Sequence, residues 1–183
     1  MIIALSGTPG TGKSAVAQLL AKKLQCRLIS ITRLVRSRKI PTQYDRMRKT
    51  RIVDTRLVQL AVDRELGHGA SAVIEGHLAH LLRADRVVIL RCNPAVLARR
   101  LTKKRWNAAK IRENVQAEIL DAITIEALEM HGRRTVVEVD TSTNTAAQTA
   151  ATAMKLLNNY NERKKHRAGA IDWSEQYKQM LIR

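Results

Sequence analysis

The 183-residue sequence has no phenylalanine, and its aromatic content is two tryptophans and three tyrosines. That absence excludes base-stacking surfaces of the RRM or OB type, so any contact with nucleic acid would run through phosphates. There are two cysteines, Cys26 and Cys92, without a CxxC spacing. A zinc site or a disulfide framework is therefore not expected, and both residues read as buried thiols near strands. No apolar run approaches the roughly 18–20 residues that span a bilayer, so no membrane partner is expected. No basic stretch precedes the N-terminal apolar run, which argues against a signal peptide and for a reducing, cytoplasmic setting. Acidic residues are scarce: 16 Asp and Glu stand against 33 Lys and Arg, giving a net charge of +17. Such a field attracts polyanions, nucleic acid above all, and an organism-wide bias toward Lys and Arg accounts for it equally well.

What is present begins at the N-terminus. Residues 2–6, Ile-Ile-Ala-Leu-Ser, form an apolar run that reads as a buried strand. It passes directly into Gly7-Thr8-Pro9-Gly10-Thr11-Gly12-Lys13-Ser14. This is G-x-x-x-x-G-K-[ST], the phosphate-binding P-loop, with a strand before it and a helix after it. Backbone N–H groups of such a loop face phosphate, the Lys13 ammonium reaches the β- and γ-phosphates, and the Ser14 hydroxyl is a ligand for Mg²⁺. A helix over residues 13–24 would present its N-terminus to the anion.

Further strands are expected at residues 26–31, 71–75, 86–91 and 135–139, alternating with helices. The helices are expected at residues 32–38, at 52–66 with Gly67 closing it, from Pro94 with Asn93 as N-cap, over 108–130, and over 145–161. A basic hinge at 161–167 leads to a short terminal helix read as an appendage. The alternation implies an α/β fold with a five-stranded parallel sheet and helices on both faces. Ligands in such a sheet bind beyond the carboxyl ends of the strands.

Three features fall at that edge. Glu75 ends an apolar strand and suits a second Mg²⁺-facing oxygen. His77 follows two residues on and suits a polar group that orients water or meets a γ-phosphate oxygen. Its i, i+3 spacing from His80 is a weak metal-pair signal without a third ligand. Residues 33–56 hold nine Lys and Arg against two Asp, and Arg36 is placed there on the first turns of a short helix, pointing to the strand ends. Arg99-Arg100 with Lys103-Lys104-Arg105 forms a second cationic cluster between two helices, a candidate lid. Taken singly each of these cations is a solvated surface charge; flanking a P-loop, the two clusters suit closure over phosphates.

These residues together resemble the small, atypical adenylate kinases of archaea and eukaryotic nuclei, the isoenzyme-6 type. The resemblance rests on residues 5–14 with their Thr-Pro pair, on Glu75-Gly76-His77, and on Leu90-Arg91, Arg100-Leu101 and Trp106-Asn107. It continues through Lys110-Ile111, Glu113-Asn114-Val115, Ala117-Glu118 and Ile171-Asp172-Trp173. It implies a P-loop NTPase fold of NMP-kinase architecture over residues 1–160, with an NMP-binding region near 30–53 and a lid near 103–113. The remaining residues, 161–183, would be the hinge and tail. It also implies ATP contacts at Gly10, Thr11, Gly12, Lys13, Ser14, Ala15 and Lys104, and an AMP side at Arg36 and Asp54. Mg²⁺ would be held by Ser14 and Glu75, and Lys13, His77, Lys104 and Arg105 would act in catalysis. The implied activity is ATP:AMP phosphotransfer, with ATP hydrolysis and a role in small-ribosomal-subunit assembly through a small-subunit ribosomal protein and rRNA. An assembly ATPase with little kinase activity and a small-metabolite P-loop kinase are the alternatives. Two departures stand out. Lys104-Arg105-Trp106 replaces the family's Arg-Gly-aromatic, and the basic Arg46, Arg48 and Lys49 follow Tyr44-Asp45 where the family is acidic.

Overall fold

The computed structural model describes residues 1–46, 50–67 and 69–181. Arg48 and Lys49 of the basic block lie outside the described residues. The described strands are β1 (Ile2–Gly7), β2 (Arg27–Ser30), β3 (Thr42–Asp45), β4 (Thr50–Val53), β5 (Ala72–Glu75), β6 (Arg86–Arg91) and β7 (Val136–Asp140). Five of them form one parallel sheet in the order β2-β5-β1-β6-β7. The helices are α1 (Lys13–Leu24), α2 (Ile31–Ser37), α3 (Thr55–Leu66), α4 (Pro94–Lys103), α5 (Ala108–Ile119), α6 (Ala122–His131), α7 (Ala146–Asn158), α8 (Tyr160–Lys165) and α9 (Ser174–Tyr177).

The two-residue period of the strands sorts the core into two layers. Ile3 and Leu5 of β1, with Val88 and Leu90 of β6, meet Val16 and Leu20 of α1 and Ala153 and Leu156 of α7. Ala4, Val87 and Ile89 face the other way, onto Val58 and Val62 of α3 and Ala127 of α6. Each fully buried Leu or Ile of these layers contributes about 1.5–3 kcal/mol over an exposed one. A third cluster lies beyond the sheet, where Leu97 and Leu101 of α4 pack on Val115 and Ile119 of α5.

Four expectations are corrected. The helix anticipated over 108–130 is two helices, broken where Asp121 adopts a left-handed φ of 53° and turns its carboxylate to Arg91. The helix anticipated from residue 52 begins at Thr55, because Asp54 caps it by accepting from Arg56 N at 2.8 Å. Ile52 and Val53 instead belong to an antiparallel pair, β3 with β4, for which the basic composition of the segment carried no strand signal. The helix anticipated to residue 161 ends at Asn158, and Asn159 caps α8.

The tail is not an appendage. Arg167 bridges to Val137, Glu138 N donates to His166 O at 2.9 Å, and Ala168 is buried. The N–H groups of Gly169 and Ile171 both donate to Glu138 Oε2, at 2.9 and 3.3 Å. Tyr177 and Leu181 then pack on the third cluster.

Candidate active site

The P-loop joins β1 to α1 at the carboxyl edge of the sheet. Gly7 has a φ of 137°, and a Cβ there would stand 2.3 Å from the Leu90 carbonyl oxygen of the neighbouring strand. Only glycine lets the loop leave β1 so close to β6. Gly12 caps α1 with a left-handed φ of 95° and no side-chain bond. The first-turn N–H groups of residues 13–15 are thus the donors an anion at this helix start would meet.

Lys13 Nζ donates to Gly7 O at 2.6 Å and Thr8 O at 3.0 Å, folding the side chain back over the loop. Loss of hydration lowers its pKa to about 8; the carboxylates of Glu75 and Glu118 work against that shift, and the charge of Lys104 adds to it. Ser14 Oγ donates to Glu75 Oε2 at 3.2 Å, and Glu75 is buried at the end of β5. A hydroxyl and a carboxylate in this position are hard oxygen donors of the kind Mg²⁺ takes when substrate phosphates and water complete its shell. The residues present therefore fit Mg²⁺. Among the described residues no group of three or more His, Cys, Asp or Glu is placed to hold a metal ion.

His77 is exposed at this edge. Its imidazole is held below its ordinary pKa, first by loss of hydration among surrounding atoms and then by the Lys13 charge. His80, its i, i+3 partner in sequence, turns inward. One ring nitrogen lies 2.8 Å from Ser6 Oγ and the other 2.8 Å from Glu126 Oε2, so the two histidines do not form a metal pair.

The cationic turn follows α4. Arg105 N donates to Thr102 O at 2.8 Å and Trp106 N to Leu101 O at 3.3 Å, a Schellman end whose left-handed position is Arg105 itself, at a φ of 58°. The backbone keeps the conformation glycine favours although the residue is arginine. Lys104 and Arg105 are exposed, and Lys104 is near enough for its charge to be felt at Lys13. Lys110 lies 5.3 Å from the centre of the Trp106 ring, and its charge is felt at His77, a placement its sequence position does not disclose. Arg100 does not join this turn. Its guanidinium is spent on Thr141 O at 2.6 Å and Ser142 O at 3.3 Å.

The AMP-side residues are placed differently from expectation. Arg36 is in the last turn of α2 rather than its first, exposed and without a side-chain bond to another described residue. Asp54 is occupied with Arg56, its Oδ2 accepting from Nη2 at 2.9 Å, and that pairing holds its carboxyl below the usual range. Neither is brought against the P-loop by a contact.

The largest feature that sequence reasoning missed lies under the loop. Arg91, 2% exposed, ends β6 among three carboxylates. Its Nε donates to Glu118 Oε1 at 2.8 Å, Nη1 to Glu138 Oε1 at 2.5 Å, and Nη2 to Asp121. Glu118 also accepts from the Thr8 hydroxyl of the P-loop at 2.5 Å. The signal was present: Glu118 falls three residues after Val115 and seven after Ile111, on the apolar face of α5.

The profile of the AAA domain family matches residues 3–121 of this chain. A protein of Pyrococcus furiosus named "Putative adenylate kinase" is 37% identical over 183 residues, covering 99% of this chain and 96% of its own. One of the same name from Methanocaldococcus jannaschii is 32% identical, covering 97% and 95%. This chain belongs to that archaeal adenylate kinase family. Among solved structures, the family's fold is shared by a gluconokinase from Sinorhizobium meliloti, with a TM-score of 0.55 at 20% identity over 90% of this chain and 97% of that one. It is shared too by a shikimate kinase from Bacteroides thetaiotaomicron, with a TM-score of 0.53 at 19% identity over 86% and 97%. These two likenesses concern the P-loop kinase fold alone.

Proposed function

We propose that this protein is a Mg²⁺-dependent ATP:AMP phosphotransferase that moves the γ-phosphate of ATP to AMP. The observation that carries the reading is the meeting of the Lys13 ammonium with the Ser14–Glu75 pair at one glycine-rich loop. Lys13 exchanges its two carbonyl partners for phosphate oxygens when nucleotide binds, with loop N–H groups donating alongside it. Ser14 and Glu75 would hold Mg²⁺, which would supply charge neutralisation at the phosphates. Gly10, Thr11, Gly12 and Ala15 shape the loop and helix start around ATP. Lys104 and Arg105 supply positive charge to the transferring group. Arg36, within the region 30–53, and Asp54, at its end, serve the AMP side. AMP is already an anion, so positioning and exclusion of water do most of the work and no general base is needed. Purified protein given ATP and AMP should make ADP, and Lys13→Ala should abolish it. ADP formation that ignores AMP would sink this reading.

A second reading has its own motive. His77 is exposed beside Lys13 and largely uncharged near neutral pH, as a group that orients water would be. Water then competes with AMP, and the protein acts as an ATPase in small-ribosomal-subunit assembly, its net charge of +17 favouring rRNA. Binding to small-subunit rRNA or a small-subunit ribosomal protein that changes with bound nucleotide supports it. Binding no better than a basic control, with the same steep salt slope, counts against it. A panel of acceptors that includes water and small metabolites separates the readings.

A further inference from the structure

The Thr8 carbonyl is the busiest acceptor in the P-loop. It receives Lys13 Nζ at 3.0 Å, Thr11 Oγ1 at 2.9 Å and Thr11 N at 3.2 Å. Any rotation of Thr8 therefore carries the loop lysine and the loop turn with it. The side chain of Thr8 is 2% exposed, and its hydroxyl has one acceptor, Glu118 Oε2 at 2.5 Å.

Glu118 is itself immobilised. Its other oxygen accepts from Arg91 Nε at 2.8 Å and Cys92 N at 3.0 Å, and its carbonyl accepts from Arg91 Nη2 at 3.0 Å. Arg91 reaches Ile171 O at 3.2 Å and Glu138, which takes the Gly169 and Ile171 N–H groups. A carboxylate fixed on that many sides offers the loop a rigid anchor. Glu118 also sits in the last turn of α5, whose first turn follows the cationic turn at Lys104-Arg105. One helix of 12 residues, about 18 Å long at 1.5 Å per residue, carries the cationic turn at one end and the loop anchor at the other.

We propose that Glu118 is a positioning residue for nucleotide binding, holding the phosphate loop and Lys13 in register through the Thr8 hydroxyl. The inference rests on the nucleotide-binding part of the reading above and is independent of the acceptor. The test uses the full chain with Thr8→Val, Thr8→Ser, Glu118→Gln and the Val/Gln double variant. Binding of Mg-ATP is measured by calorimetry without acceptor, and KM for ATP and AMP with acceptor present. Thr8→Val is expected to weaken ATP about tenfold, the scale of one bond to a charged acceptor. KM for AMP stays near wild type, the melting midpoint falls by about 2–12 °C as the buried Glu118 oxygen loses its donor, and Thr8→Ser restores both ATP affinity and the midpoint. The double variant is expected to bind ATP no more weakly than Glu118→Gln alone, since both act through one bond. Wild-type ATP affinity in Thr8→Val, failure of Ser to restore it, or an equal loss on AMP overturns the proposal. If Glu118→Gln does not fold, the Thr8 pair still decides. If wild type makes no ADP from AMP yet ATP affinity follows this pattern, the acceptor reading falls and the proposal stands.

Discussion

Removing Arg91 tests the view that its cluster is a structural keystone. Arg91→Met keeps much of the length and apolar bulk and deletes the charge. Three carboxylates then lose their cation, two of them, Glu118 and Glu138, being 2% and 1% exposed. Breaking a buried ion pair from one side costs about 3–5 kcal/mol, because the remaining charge is left in a poor solvent. For a chain of this size each kcal/mol moves the thermal midpoint by about 2–4 °C, so the expected drop is about 6–20 °C. The pH dependence is the sharper signature. Burial already raises the pKa of Asp121, and Arg91 opposes that shift. Without Arg91 the folded-state pKa of Asp121 lies further above the unfolded value, so the native state takes up a proton more readily. The deficit is full above the raised pKa and shrinks as pH falls. In thermal melts of both proteins the gap should therefore be smaller at pH 5 than at pH 8. A drop under about 3 °C at pH 8, or a deficit equal at both pH values, refutes the reasoning.

Arg105→Gly should raise the melting midpoint by about 1–4 °C, since a left-handed arginine costs about 1–2 kcal/mol and part of that is offset by the freer unfolded glycine. It should also lower phosphotransfer; an unchanged or lower midpoint would refute the strain. His80, 1% exposed, has a pKa lowered by burial, with Glu126 opposing the shift. Its folded pKa is below its unfolded one, so the stability it contributes is present above pH 6.5 or so and is lost as pH falls. His80→Gln should flatten chemical-denaturation stability between pH 7 and 5, and an unaltered slope would count against this. Gly7→Ala would drive a Cβ to 2.3 Å from the Leu90 carbonyl oxygen, whereas Gly12→Ala would meet no atom within 4 Å. The first should abolish the fold or lower its stability sharply, and the second should lower folding stability by only the roughly 1–2 kcal/mol of its left-handed backbone. Thermal melts separate them, and equal drops in midpoint would refute the close-approach argument.

The sequence by itself determined the sheet, the P-loop and the phosphate end of the site. Alternating apolar strands have a two-residue period that fixes which side chains face which layer, and the loop motif is contiguous, so Lys13, Ser14 and the strand-end Glu75 were legible without coordinates. The breaks were less so. The end of α5 depends on Asp121 finding Arg91, and the start of α3 on Asp54 choosing the Arg56 N–H, choices that hydrophobic spacing does not record. Basic composition hid the β3–β4 pair, because long charged side chains say little about backbone pairing. Arg91, Glu118, Glu138 and Thr8 come from separate elements between 20 and 130 positions apart along the chain. Only tertiary packing brings their charges to one buried point, and only there does an apolar-face glutamate become the support of the phosphate loop.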